Sequence, residues 1–536
     1  MLGQKKPRVV LLGFDACDID IVRAFARAGK LPTFNRLLNG WTSAEIKNPF
    51  GFFVGATWTT FSTAKSAAKI GFHCWETISL DYKRRMTSPA EIVAPSFWDV
   101  LGAAGRKVAV LDVPHSRASE EQAVLEITEY GCHDRHFGLR SSRAGLRDEI
   151  QSRFGYHPVF TVDPFAERHF AADDYVHRAG PLRTAEEERL LQRDLFVGLE
   201  NKRKLSRWIH QQDDWDLFMA IFGESHAVGH QSWYLHDPSH PRHDPALARE
   251  LGDPVEKVYA ALDRALAEFL SAMGDECTVL VLLSHGMRAH YDGTYVLEPV
   301  LTRLNAFDRL GLRGSPIGRL IKRKWLSLDD QARRRLTKPL MSSLQWRCQL
   351  KSPYAYFESD IRPVARSRQR YYMSPNNSVY GGVRINLKGR EPAGTVEQGR
   401  EFDSVCAQLK DDLLALINVH TGDPVVKSVE RTDCFYDREP IDELPDLIID
   451  WNHEAPVETV WSAKTGLVHA PYWHWRTGDH RPEEFLFASG AGIPTGAHLG
   501  VIDNLNLGPT ICAMLGVELP QVDGRPVPAL AANSPG

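Results

Sequence analysis

Six short apolar or β-branched runs, each bounded by turn residues, constrain this chain more than any other feature. They lie at 8–14, 107–113, 217–222, 278–283, 447–451 and 484–488. Continuous apolar runs of this length are what strands buried on both faces require. Between them lie long stretches of helical period at 185–211, 254–273 and 398–418. The alternation predicts an α/β sandwich with a mainly parallel central sheet. Two stretches interrupt it. Residues 114–184 are rich in His, Arg and aromatics, and 291–380 have a basic middle and a Pro/Asn/Gly-rich end. Both are expected as cap insertions over one edge of a single domain spanning 1–536.

Size and charge narrow the function classes. The 536 residues are 43% hydrophobic and 25% charged, the balance of a globular chain. A formal net charge of -4 gives no basic footprint for nucleic acid. The runs Lys322–Lys324 and Arg333–Arg335 are expected to be solvated helix faces. No stretch reaches the roughly 18 continuous apolar residues of a membrane span. The start, Lys5-Lys6-Pro7-Arg8, is followed by only four apolar residues, too few for a signal-peptide core. The eight cysteines are scattered, with no CxxC pair, which predicts reduced thiols in the cytoplasm. A small-molecule substrate is the expected partner; oligomeric state is not legible.

In open α/β sheets chemistry gathers beyond the carboxyl ends of the strands. Three polar groups follow predicted strands: Asp15, the run Glu224–His230, and Ser284-His285-Gly286-Met287. A fourth, Asp479-His480, precedes the strand at Phe485. If those strands are neighbours, all four groups converge on one rim, as in hydrolytic metal sites. His226 and His230 are four apart and share one helical face, so both imidazoles can reach one ion. The same spacing also suits two hydrogen-bonded histidines at a helix start. Singly, His285 and His480 read equally well as satisfied loop histidines.

With these motifs the chain resembles the type I phosphodiesterase/nucleotide pyrophosphatase branch of the alkaline phosphatase superfamily. The resemblance rests on Gly13-Phe14-Asp15, Thr57-Trp58-Thr59-Thr60-Phe61-Ser62-Thr63-Ala64, the His226/His230 pair, Ser284-His285-Gly286-Met287 and His480. Gly382–Pro392, Pro445-Asp446-Leu447-Ile448 and Asp523-Gly524-Arg525 add to it without supplying ligands. It implies an alkaline phosphatase-like fold and a metal site drawn from Asp15, His226, His230, His285 and His480. His133 and Asp134 match a His-Asp pair that often lines the family's pocket; a turn held by the Asp side chain is the alternative.

The departures carry as much information. The family's first Asp of its Asp-x-x-x-His pair is His226 here, and the Asp before His285 is Ser284. The usual nucleophile position falls on Val54, and Thr57 is the nearest hydroxyl, expected near the start of its helix. The resemblance therefore implies one tightly bound ion, zinc by preference, on His226, His230 and His480. Three imidazoles with an open position form a catalytic zinc arrangement, although imidazoles also accept iron, nickel and copper. The second ion position keeps only Asp15 and His285 as strong ligands and is expected weak or empty. Those two residues are then available for acid/base work, and Thr57 is the candidate nucleophile. The function implied is hydrolysis of a phosphoester or a related ester such as a sulfate. The alternatives are zinc-dependent transfer, acyl or amide chemistry, or a binding module that has lost its nucleophile. His236, His240 and His243 are expected in a solvated loop. His469, Trp473, His474, Trp475 and Arg476 are expected as pocket wall or core.

Overall fold

The computed structural model describes residues 8–132, 138–159, 182–273, 277–309, 366–437, 443–470 and 476–531. The basic runs at 322–324 and 333–335, His133, Asp134 and Trp473–Trp475 lie outside these residues.

The central sheet has nine strands. In spatial order they are His498–Asp503, Thr42–Lys47, Glu484–Ser489, Cys277–Leu283, Arg8–Phe14, Leu217–Phe222, Val108–Leu111, Val124–Thr128 and Arg140–Ser141. Seven run in one direction; Glu484–Ser489 and Arg140–Ser141 oppose them. Successive side chains of a strand face opposite sides, and here both sides are buried. Val10, Leu12 and Phe14 join one core with Phe218, Ala220 and Phe222. Val9 and Leu11 join the other with Leu217, Met219 and Ile221. That two-sided burial is why these strands read as unbroken apolar runs. The helices Ala185–His210 and Pro254–Met273 cover the first face, burying Leu191, Leu195, Val258 and Leu262.

One strand is reassigned, and the two interrupting stretches contribute elements of their own. Leu447–Trp451 is a strand, but in a separate antiparallel sheet between Tyr380–Ile385 and Val426–Arg431. Its apolar run mimics a central parallel strand because it too is buried on both faces: Leu447, Ile449 and Trp451 enter one core and Ile448 another. Residues 114–184 do not all lie over the sheet, since Val124–Thr128 and Arg140–Ser141 extend its edge. The segment 291–380 supplies the helix Thr294–Arg309 and the strand Tyr371–Ser374, and Tyr380–Ile385 begins at its end. These build the separate sheet and its own core with the helix Arg400–Leu414. This second lobe lies, in chain order, between Cys277–Leu283 and Glu484–Ser489, so the chain leaves the main sheet and returns to it.

Candidate active site

The parallel strands deliver their carboxyl ends to one rim. Asp15 follows Arg8–Phe14, Ser284-His285 follow Cys277–Leu283, and the helix Glu224–His236 begins two residues after Leu217–Phe222. Glu484–Ser489 runs the other way, so its amino end arrives at the same rim. That reversal brings His480 to the site from the residues before a strand.

Asp15, His226, His230, His285 and His480 come together and are all buried. Nε2 of His230 lies 3.1 Å from Nε2 of His480. Two ligands of one ion at about 2 Å bonds are roughly 3.3 Å apart in tetrahedral geometry. The ring centroids of His226 lie 4.7 Å from those of both His230 and His480. Nδ1 of His230 donates to the carbonyl of Gly478 at 2.7 Å, and Nδ1 of His226 meets Oδ2 of Asp15 at 2.5 Å. Each contact fixes a ring and presents its Nε2, the outer-shell support that metal-binding histidines require. The three imidazoles therefore fit a divalent cation in donor type and convergence, and His226 and His230 fit it in tautomer as well. Arg476 donates to Nε2 of His230 as well, so a cation and this guanidinium compete for one lone pair.

Both oxygens of Asp15 accept from neighbouring side chains. Its Oδ1 accepts from Ser284 Oγ at 3.0 Å and from Trp58 Nε1 at 2.9 Å. Trp58 gets this close because residue 13 is glycine; a Cβ there would sit 3.3 Å from the indole and 2.4 Å from Ile221. Burial pushes the Asp15 carboxyl upward, but His226, His285 and Trp58 outweigh it and hold it well below the usual carboxylate range. Ser284, standing where the family has Asp, supplies a hydroxyl donor to Asp15 in place of a second buried negative charge. His285 stacks on His480 with centroids 4.2 Å apart, and its Nε2 is 3.9 Å from Asp15.

Thr57 is placed differently from expectation. The helix runs Phe53–Thr63, so Thr57 lies in its second turn and Val54 at its start. The Thr57 hydroxyl donates to Asn48 Oδ1 at 2.5 Å, and Asn48 donates to the carbonyl of Pro482 at 2.8 Å. Beside Val54, the ring of Phe53 stands edge-on to His285 at 5.9 Å.

The residue match with a known family is equally direct. The model of the type I phosphodiesterase / nucleotide pyrophosphatase family matches residues 9–469. The chain belongs to that family. That family is one of metal-dependent phosphoester hydrolases. Three solved structures are similar to it. Phosphonoacetate hydrolase from Sinorhizobium meliloti 1021, in complex with phosphonoformate, is 13% identical over 95% of this chain and 96% of its own, with a TM-score of 0.47. Murine ectonucleotide pyrophosphatase/phosphodiesterase 5 is 12% identical over 96% and 97%, with a TM-score of 0.48. An inactive variant of that murine protein, in complex with AMP, is 12% identical over 97% of each chain, with a TM-score of 0.49. No curated protein matches.

Sequence reasoning missed the clamp that holds this family member's site together. Asp18 accepts from both Arg481 (Nη2, 2.6 Å) and the backbone of Met287 (2.9 Å). It thereby ties the strand carrying His480 and its partner Gly286–Ala289 to the end of the first strand. An Asp three residues after the first ligand, and an Arg one after the last, were the available signals. The histidines expected in a solvated loop are also corrected. His236 pairs with Asp253 at 2.7 Å, and His243 donates to the Tyr234 carbonyl at 2.8 Å. His240 is buried against Tyr291, and that burial pushes its imidazole down to about 4. His469, half-buried, meets the Thr459 hydroxyl at 2.8 Å. Among the described residues no helix is long and apolar enough to cross a membrane.

Proposed function

We propose that this chain hydrolyses a small phosphoester with one divalent cation, zinc by preference, held by His226, His230 and His480, and without a nucleophilic side chain. The observation that carries the reading is the three-imidazole convergence, with Nδ1 of two rings engaged by Asp15 and Gly478. A zinc in such a site acts as a Lewis acid on a substrate oxygen and lowers the pKa of water. Asp15 keeps His226 in its ligand tautomer. His285 accepts the proton of the attacking water, and Asp15 stabilises the imidazolium that results. The helix start at Phe53-Val54 offers backbone N–H groups to a phosphoryl oxygen, although it has no hydroxyl to attack with. Three donors already engage Asp15, which supports a weak or empty second ion position. The described cysteines are all free thiols, and six of the seven are buried, which supports a reducing, cytoplasmic setting.

Val54 favours a second reading, a binding module that keeps the fold and the ligands without turnover. Turnover of an aryl phosphodiester, bis(p-nitrophenyl) phosphate, separates the two. Hydrolysis that is lost on chelation, restored by zinc and absent from His226→Ala/His230→Ala supports the hydrolase. Zinc bound without hydrolysis of any phosphomonoester, diester or sulfate ester supports the binding module.

A further inference from the structure

A second buried group of ligand-type side chains backs onto the first. Asp479 and His480 are consecutive in the strand Gly478–Arg481, so their side chains leave on opposite faces. His480 faces His226 and His230. On the other face Asp479 meets His290 and Asp292, which follow the partner strand Gly286–Ala289. All three side chains are buried, and their ligand atoms lie within 4.8 Å of one another.

Each member is aimed by its other polar atom. His290 Nδ1 donates to the carbonyl of Arg476 at 3.1 Å, which presents Nε2 to the cluster. Asp292 Oδ1 accepts the N–H of Thr294 at 2.7 Å, and Asp479 Oδ1 accepts the N–H of His480 at 2.9 Å. Both remaining oxygens point at His290 Nε2: Asp479 Oδ2 at 3.1 Å and Asp292 Oδ2 at 2.6 Å. Outer atoms held by the protein, with inner atoms converging, is the arrangement that orients ligands around a metal.

We propose that His290, Asp292 and Asp479 form a second cation site, distinct from the three-histidine site and from the Asp15/His285 position. One imidazole nitrogen and two carboxylates suit a first-row divalent ion of the zinc or manganese class. Its ligands would bind one strand of the His480 ribbon to the loop that leaves the other, making it a structural brace behind the active site.

The test is metal content of the full-length protein, stripped with chelator, reloaded with zinc or manganese and desalted. His226→Ala/His230→Ala should retain about one ion per chain, and adding Asp292→Asn should remove it. Zinc or manganese should also raise the melting temperature of His226→Ala/His230→Ala. Asp292→Asn alone should lose one ion while keeping its circular dichroism; if it fails to fold, His290→Gln gives the same comparison. The proposal is overturned if the double variant holds no ion and its melting temperature does not respond. It is also overturned if a folded Asp292→Asn or His290→Gln keeps the full content. Either result would make the cluster a closed ion group around a protonated His290.

Discussion

Oδ2 of Asp15 lies 2.5 Å from Nδ1 of His226, and this contact decides which nitrogen of His226 can bind an ion. Asp15→Asn keeps the shape and can still accept from Ser284 and Trp58. Its amide, however, is a donor where His226 needs an acceptor, so the ring would protonate Nε2 instead. Zinc affinity at the three-histidine site should fall about 10–100-fold, the usual cost of losing an outer-shell partner. Competition against a chromophoric chelator measures this. Unchanged affinity would remove Asp15 from the site's support.

Thr57 sits in the second helical turn with its hydroxyl directed at Asn48. Thr57→Ala in the metal-loaded enzyme should reduce kcat less than about tenfold, or 1.4 kcal/mol. A loss of several orders of magnitude with metal retained would instead make Thr57 the nucleophile, and the direct-attack reading would fall.

Gly478 packs against the helix that carries His230. A Cβ at that position would stand 2.2 Å from the Gly229 carbonyl oxygen and 2.9 Å from Trp233 Cβ. Gly478→Ala must therefore push the His480 strand away from that helix. Overpacking of this kind costs about 1–3 kcal/mol, and zinc affinity should fall with it. Urea denaturation with and without zinc reads both effects; a neutral result would show that the ribbon yields without strain.

Glu126 gives the pH prediction. Burial in the core raises its carboxyl to about 8, although Ser116 and Trp98 hydrogen bonds oppose the shift. The folded chain therefore holds a proton that the unfolded chain releases near 4.5. Because the folded state binds more protons between these values, stability falls as pH rises from about 5 to 8, by about 3 kcal/mol. Glu126→Gln should flatten that decline and be the more stable protein at pH 8. An identical pH slope in both would contradict it.

The local chemistry of the chain determined a great deal. Val9–Phe14 and Leu217–Phe222 are legible because both faces of each are buried, and no polar residue interrupts them. The helices at 185–210 and 254–273 are legible because their apolar residues recur at helical period. His226 and His230 could be paired because a helix fixes the relation of residues four apart. Tertiary structure alone decided what depends on pairing between distant segments. Leu447–Trp451 has the composition of a central strand, and only its hydrogen-bonding neighbours assign it to another sheet. His480 reaches His230 because Glu484–Ser489 runs antiparallel beside Cys277–Leu283, a direction no local pattern encodes. Asp479 reaches His290 because the ribbon Gly286–Ala289/Gly478–Arg481 joins segments nearly two hundred residues apart and turns consecutive side chains to opposite faces.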